Sequence, residues 1–152
     1  MTRSVRSVRR AALLALAPAL LACAASGCTD AGKHEAASLV GAVDAYQRAQ
    51  PGPSKADRGK AVADVPCSDA RVCEAKRVCV SAIELTVRAI ALRDDVAARV
   101  ADLETGALSK DAIEARQLPT RLDEAERLLT EGRARMAECD SKLRDLQLDF
   151  GV

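Results

Sequence analysis

The chain is poor in aromatic side chains and in histidine. Its 152 residues include no tryptophan and only one phenylalanine, one tyrosine and one histidine. Aromatic platforms for stacking bases are therefore absent, and a zinc site built from several histidines is impossible. Strong binding to nucleic acid also needs an excess of cations, whereas 23 basic residues here face 22 acidic ones. We expect no nucleic-acid partner, no metal, no small-molecule substrate and no cofactor apart from a covalent lipid.

Signals for catalysis are sparse. The single histidine, His34, stands in a short polar stretch, where a solvated side chain is the simpler interpretation. Asp94 and Asp95 are adjacent, and adjacent residues of a helix point about 100° apart, so these carboxylates are poorly placed to share acid–base chemistry. No glycine-rich phosphate-binding loop occurs in the sequence. We expect that the protein is not an enzyme.

The first 27 residues have the layout of an export signal. Residues 3–10 contain four arginines and no acidic residue, and residues 11–22 form an uncharged apolar run. A helix of that length spans about 18 Å, well short of the hydrocarbon core of a bilayer at about 30 Å. Small residues follow the apolar run. We therefore predict that residues 1–27 are a signal peptide, which is removed from the mature protein.

Residues 20–28, Leu-Leu-Ala-Cys-Ala-Ala-Ser-Gly-Cys, resemble the lipobox of bacterial lipoproteins. In that class the cysteine thiol receives a diacylglycerol, and signal peptidase II then cuts before the cysteine. Cys28 follows the preferred Ser-Gly pair, whereas Cys23 has the preferred leucine three residues before it. The resemblance thus implies acylation of Cys28 or, alternatively, of Cys23. It covers about the first thirty residues and implies nothing about the others.

The number of cysteines favours Cys28 as the lipidated residue. Cleavage before Cys28 removes Cys23 and leaves an even number of cysteines in the body, which suits an oxidising compartment. These are Cys67, Cys73, Cys79 and Cys139. Cleavage also removes four arginines, so 19 basic and 22 acidic residues give the mature chain a formal charge of −3. The lipid alone would therefore hold the body at an anionic membrane.

The expected location is the cell envelope. Thr29 rather than aspartate follows Cys28, so we expect anchoring in the outer membrane, on its periplasmic or its surface face. The alternative is an ordinary signal peptide cut near Gly27, which would leave a soluble periplasmic protein.

The mature chain is expected to be helical, because no segment alternates polar and apolar residues with period two. Residues 28–35 are small and polar and predict a lipid-anchored tether. Residues 36–50 have apolar side chains at helical spacing and predict a short amphipathic helix. Residues 51–66 begin with Pro-Gly-Pro and predict a Pro/Gly linker. The remaining residues, 67–152, predict a helical hairpin domain.

Two long helices make up this hairpin. Ser68 or Asp69 caps a helix that ends near Glu104, before the Thr105-Gly106 stop signal. Two adjacent apolar stripes give this helix a face wider than one partner needs. A short connecting helix over residues 109–118 precedes the last helix, which we expect to begin at Thr120 and to carry a four-heptad seam. The seam consists of Leu122, Ala125, Leu129, Gly132, Met136, Cys139, Leu143, Leu146 and Phe150.

We expect the two long helices to form an antiparallel hairpin, with the helix of residues 36–50 packed across it. The predicted fold is therefore all-α, a small three-helix bundle. A long coiled-coil dimer that uses the same heptads is the alternative. In the hairpin, facing residues have numbers that sum to about 223, so Cys79 is the cysteine nearest to Cys139. We predict the disulfides Cys79–Cys139 and Cys67–Cys73, the second of which needs Cys67 to curl back before the helix begins. Pairing of Cys73 with Cys139 is the alternative.

Three functional hypotheses follow. The first is an envelope-anchored lipoprotein with a structural or protein-binding role towards an unknown envelope partner. The second is a periplasmic inhibitor, chaperone or immunity-type protein that binds one exported target. The third, a metal or redox carrier that uses the cysteines, is disfavoured because their spacing of six residues does not match zinc or Cys-x-x-Cys motifs.

Overall fold

The computed structural model describes residues 24–152, with side chains from residue 30 onward. These residues form four α-helices: α1 (Ala24–Arg48), α2 (Pro53–Asp64), α3 (Ala70–Thr105) and α4 (Ile113–Phe150). No strand occurs between residues 24 and 152, so the predicted all-α fold class is confirmed. The bundle contains one helix more than the three that were predicted.

Helix α3 begins and ends where its local signals predict. The carboxylate of Asp69 accepts a hydrogen bond from the backbone N–H of Arg71 at 2.8 Å, which caps the first turn. At the other end, Gly106 adopts a left-handed conformation with φ of 75°, and its N–H donates to the carbonyl of Leu103. Both ends of this helix therefore depend on residues adjacent to it in the sequence.

Helix α4 begins at Ile113, so the prediction of a short helix followed by a new start at Thr120 was wrong. Pro119 lies inside α4 and provides no backbone N–H for the helix. The helix nevertheless continues through it, because Leu118 is buried against α3 with an exposed fraction of 7%. Tertiary burial of Leu118 outweighs the local capping signal at Thr120.

Helix α1 includes residues 28–35, which were predicted to form a tether. The buried stripe of α1, with Ala36 and Leu39 at its start, extends back to Gly32 at the same helical spacing. A Cβ atom on Gly32 would lie 3.0 Å from Cε1 of Phe150, so the glycine allows the end of α4 to pack closely on α1. This long-range contact holds small and polar residues in a helix that their composition did not predict.

Residues 53–64 of the predicted linker form helix α2, with Pro53 in its first turn. The Pro-Gly-Pro sequence follows the end of α1, as expected, but Pro53 begins a new helix where a linker was predicted. Gly59 and Val62 are buried, and Val65 follows the helix with an exposed fraction of 7%. Burial of these residues against α1 and α3 stabilises a segment whose sequence pattern is weak.

The core lies at one end of the molecule. There α1 and α2 cover the α3–α4 hairpin, and side chains of all four helices form one apolar cluster around Tyr46, Val62, Cys79 and Cys139. Towards the loop between α3 and α4, the hairpin continues as two helices, which bury Ala89, Val96, Leu118, Ala125 and Leu128 between them. The expectation that α3 needs more than one partner is correct, since α3 contacts α1, α2 and α4.

The predicted seam of α4 is partly shifted in the structure. Its half near the core is buried as expected, including Cys139, Leu143 and Leu146. In the other half Leu122 is 41% exposed, and Leu128 is buried with an exposed fraction of 2% where the neighbouring Leu129 was expected. A straight α-helix drifts from a strict seven-residue repeat by about 20° per heptad, which is enough to rotate the seam over two to three heptads.

Candidate functional site

The four cysteines beyond residue 30 are all disulfide-bonded. Cys79 and Cys139 join α3 to α4, with Cα atoms 4.8 Å apart and both residues fully buried. Cys67 and Cys73, with Cα atoms 5.2 Å apart, fasten the segment before α3 to the first turn of that helix. These are the two predicted pairs, the first from the hairpin register and the second as the pair that remains. Within residues 30–152 no three His, Cys, Asp or Glu residues lie together in a group that would hold a metal ion.

Of the two candidate lipidation residues, the structure describes only Cys28. Cys23 lies outside the described residues, and Cys28 lies in α1, where the backbone alone is described. Gly32, four residues after Cys28, packs against Phe150 and Asp69. We call the region of Gly32, Asp69 and Phe150 the anchor end of the bundle, because it adjoins the part of α1 that contains the candidate lipidation residue Cys28. No helix of residues 24–152 is long and apolar enough to cross a membrane.

Glu35 ties α1 to the start of α3 at the anchor end. Its carboxylate accepts hydrogen bonds from the backbone N–H and the hydroxyl of Ser68, both at 2.7 Å, and from the N–H of Asp69 at 3.2 Å. The hydrogen bonds from Ser68 lower the pKa of Glu35 below its usual value. Sequence reasoning missed this contact, because nothing in residues 28–35 indicates which distant N–H groups they meet. His34, beside it, is exposed.

An apolar groove of about 320 Å³ runs along the outer surface between α2 and α3. We call it the α2–α3 groove, and its lining includes Ala56, Gly59 and Ala63 of α2 and Val80, Ile83, Val87 and Ala91 of α3. Gly59 brings the two helices together, since a Cβ atom there would lie 2.8 Å from Cγ2 of Ile83. Because these α2 residues are small, the groove is shallow on that side, and the half-buried valines Val80 and Val87 remain open to solvent.

The groove extends at both ends. One end passes Ala63 and reaches the Cys67–Cys73 disulfide. The other end passes Ala56 and reaches Pro53 and Ile90. Between residues 77 and 94, α3 rises by about 25 Å, the length of a helix of four to five turns. The groove therefore has the length and the apolar floor of a site that binds a helix.

The charged residues around the groove are mostly cationic. They are Lys55, Lys60, Lys76, Arg77 and Arg88, against Glu84 and Asp94. Lys55 donates to the carbonyls of Tyr46 and Ala49, and Lys76 to that of Val65, so that backbone dipoles rather than carboxylates face these two ammonium groups. Lys60 pairs with Asp57, and Arg77 pairs with Glu74.

The weakest of these pairs involves Arg88. Its guanidinium lies 3.9 Å from Glu124, and the side chain is 73% exposed. Glu84, one turn earlier on α3, makes no ion pair with the residues from 30 onward. The groove thus carries more positive than negative charge at its lining, although residues 28–152 together have a formal charge of −3.

A wider depression of about 580 Å³ lies across the hairpin, beyond the core. It contains Asp95, one of the two carboxylates considered for catalysis. Arg121 and Arg99 both pair with Asp95, whereas Asp94 faces the end of the α2–α3 groove. The structure therefore brings Asp94 and Asp95 to different surroundings. Because acidic and basic side chains face each other across this depression, its charge is neutralised locally.

Comparison with family models, curated proteins and solved structures finds no match to this chain.

Proposed function

We propose that this protein is a helical lipoprotein of the bacterial cell envelope, acylated at Cys28, and that its role is to bind a partner protein. The basic, apolar and small residues that precede Cys28 support export and acylation. The two disulfides fit an extracytoplasmic, oxidising compartment. The proposal gives the protein no catalytic role.

The α2–α3 groove is the observation that carries the binding role. Val80, Val87 and Ala91 follow one another at helical spacing along its floor, and they are open to solvent beside the small residues of α2. An amphipathic helix laid in such a groove would bury its apolar residues at positions i, i+3 or i+4, and i+7. Burial of apolar area contributes about 25 cal/mol per Å², so the floor supplies the main attraction.

The charges around the groove indicate which helix fits. Of the five cations, Lys55 and Lys76 face backbone carbonyls and Arg88 is weakly paired, which favours a partner helix whose apolar stripe is flanked by Asp or Glu. Arg88, whose guanidinium is exposed and weakly paired, is the cation best placed to meet an acidic side chain. Rim charges act mainly on specificity and on the association rate, so they select the partner rather than supply most of the affinity.

Anchoring is tested by intact mass of the protein purified from the membrane fraction. We expect the mass of residues 28–152 plus acyl chains, with four thiols that react with alkylating agents only after reduction. Cys28→Ser should abolish acylation, and Cys23→Ser, the matched control, should leave it intact. Loss of acylation in Cys23→Ser alone would assign the lipid to Cys23. An unacylated protein in the soluble fraction would instead support the periplasmic inhibitor, chaperone or immunity-type alternative.

Binding is tested by a photo-crosslinking residue placed at Val87 in the groove and, as a control, at Val100, which is 41% exposed on the hairpin beyond the core. We expect a crosslink at position 87 to a peptide that has an apolar helical stripe and acidic flanks. Arg88→Glu should lower the yield of this crosslink. The same peptide captured equally from position 100, or a captured peptide without helical patterning, would contradict the proposed groove.

A further inference from the structure

The anchor end of the bundle is held together by contacts among three helices. Phe150 at the end of α4 packs on Gly32 of α1, and the guanidinium of Arg71 in α3 lies 4.2 Å from the centre of the Phe150 ring. Arg71 also pairs with Asp149 at 3.2 Å. Gly32, in the third turn of α1, and the end of α4 are therefore fixed next to each other.

This arrangement limits the distance between Phe150 and a lipid on Cys28. Cys28 precedes Gly32 by four residues, which rise by about 6 Å in a helix. Even if these residues were fully extended, they would span at most about 14 Å. Because residues 28–35 belong to α1, they form a rigid helical segment and not the flexible tether that the sequence predicts. A membrane that holds the acyl chains must lie close to Phe150.

The anchor end also exposes a large apolar side chain. Leu148 is 84% exposed, whereas Val100, Ile113 and Leu122 have exposed fractions between 41% and 62%. Leu148 precedes Phe150 by two residues and lies in the last turn of α4. An exposed leucine alone needs no explanation. If Cys28 is acylated, however, the membrane that holds its acyl chains is close enough for the side chain of Leu148 to contact it.

We infer that Leu148 and Phe150 contact the interfacial layer of the bilayer that holds the acyl chains of Cys28, so that the bundle stands end-on on the membrane. This inference rests on the proposed acylation of Cys28. The α3–α4 loop then points away from the membrane, about 50 Å above it, since α3 alone rises by about 54 Å. The α2–α3 groove runs along the membrane normal and is open to a partner from the side.

The contact is apolar rather than electrostatic. The mature chain has a formal charge of −3, and at the anchor end Arg71 pairs with both Asp69 and Asp149, so this group of three has no excess of positive charge. The net charge therefore does not draw the bundle flat onto an anionic surface, and the anionic vesicles in the test below check whether the cationic α2–α3 groove does. We expect the end-on contact to be the same in neutral and in anionic bilayers.

The natural absence of tryptophan allows a direct test. Leu148→Trp and Ala107→Trp, the second in the α3–α4 loop, each introduce a single tryptophan into the full lipidated chain. Each variant is reconstituted into phosphatidylcholine vesicles with or without brominated acyl chains, and again with phosphatidylglycerol added. We expect brominated lipid to lower the fluorescence of the tryptophan at position 148 at least twofold in both compositions, and to leave position 107 unchanged.

Each other outcome overturns the inference. Quenching at both positions would mean that the bundle lies flat, and quenching at neither would mean that Leu148 stands clear of the bilayer. Intact mass and vesicle flotation of the same samples separate these failures from failure of the proposed function. A protein that is not acylated disproves the anchor, whereas an acylated protein that floats without quenching disproves the end-on contact alone. Circular dichroism and thiol titration verify that both variants retain their helices and disulfides.

Discussion

Cys79 and Cys139 are separated by 60 residues in the sequence, yet their Cα atoms lie 4.8 Å apart and both side chains are fully buried. The bond between them joins α3 to α4 inside the core. Cys67 and Cys73, by contrast, close a separation of six residues and are half-buried. Because a disulfide restricts the unfolded chain more when the closed loop is longer, the two bonds should contribute unequally to stability.

Replacing each pair by alanine tests this difference. We expect Cys79→Ala with Cys139→Ala to lower the free energy of unfolding by about 4 kcal/mol, and Cys67→Ala with Cys73→Ala to lower it by about 2 kcal/mol. Urea titrations followed by circular dichroism at pH 7 give both values, and each double variant serves as the control for the other. Equal losses would show that loop length does not decide the contribution of these bonds.

Gly132 permits a close approach of α3 and α4. A Cβ atom there would lie 2.8 Å from Oγ1 of Thr86, which is itself held by a hydrogen bond to the carbonyl of Ala82. Glycine to alanine in a helix normally raises stability by about 1 kcal/mol. Here overpacking should reverse the sign, so we expect Gly132→Ala to lower the free energy of unfolding by about 1–3 kcal/mol.

Two further variants make this prediction specific. Gly41 has no atom within 4 Å of its Cβ position, so Gly41→Ala should show the ordinary stabilisation of up to about 1 kcal/mol. Thr86→Ala in the Gly132→Ala background should recover part of the loss, since it removes the hydroxyl that the new methyl group meets. A double-mutant cycle measures this coupling, and a coupling of zero would contradict the proposed clash.

The sequence predicts most of the hairpin because its signals are local. Asp69 caps the helix that it precedes, Gly106 ends the same helix, and the hairpin register brings Cys79 near Cys139. Arg121 facing Asp95 follows the same antiparallel register. Each helix end is thus set by a residue within one turn of it, and each pair across the hairpin follows from the antiparallel register.

The first two helices and the groove could not be predicted in the same way. Gly32 and Gly59 are poor helix formers. They stabilise α1 and α2 only because the absence of a side chain lets Phe150 and Ile83 pack closely against them. These contacts join segments far apart in the sequence, and no repeat or spacing encodes them. The α2–α3 groove depends on where α2 lies, so it follows from the packing of Gly59 and not from a motif. For the same reason, composition alone assigned residues 28–35 and 51–66 to a tether and a linker.

Glu35 should make stability depend on pH in the acidic range. Hydrogen bonds from Ser68 lower its pKa in the folded state below the ordinary value of 4.5. A lowered folded-state pKa contributes stability that is fully present above the unfolded-state pKa and is lost as the pH falls through the folded-state pKa. We therefore expect the stability difference between the native chain and Glu35→Gln to be largest near pH 7 and to shrink as the pH falls below about 4.5.

Urea titrations from pH 3 to pH 7 measure this difference. Glu126→Gln is the matched control, because Glu126 is exposed on α4 and makes no ion pair with the residues from 30 onward. The control should follow the native pH dependence throughout. If the difference in the free energy of unfolding between the native chain and Glu35→Gln stays constant over this range, the contact with Ser68 does not depend on the charge of Glu35.

Tyr46 has a hydroxyl group that is buried without a hydrogen-bond partner among residues 30–152. Burial raises the pKa of this phenol, an effect that the nearby Thr86 hydroxyl opposes. The ring itself packs against Gly59 and lies under the ammonium group of Lys55, 4.5 Å from the ring centre. An unsatisfied buried hydroxyl costs about 1–3 kcal/mol, whereas the ring contacts are favourable.

Tyr46→Phe should therefore keep the packing and remove the cost. We expect the free energy of unfolding to rise by up to about 1 kcal/mol or to remain unchanged. Tyr46→Leu, which removes the ring, should lower it, because the contact with Lys55 and part of the apolar burial are lost. Thermal and urea unfolding of the two variants separate the hydroxyl from the ring. A loss above 1 kcal/mol in Tyr46→Phe would mean that the hydroxyl donates to Thr86 in solution, and that the core gains a polar link between α1 and α3.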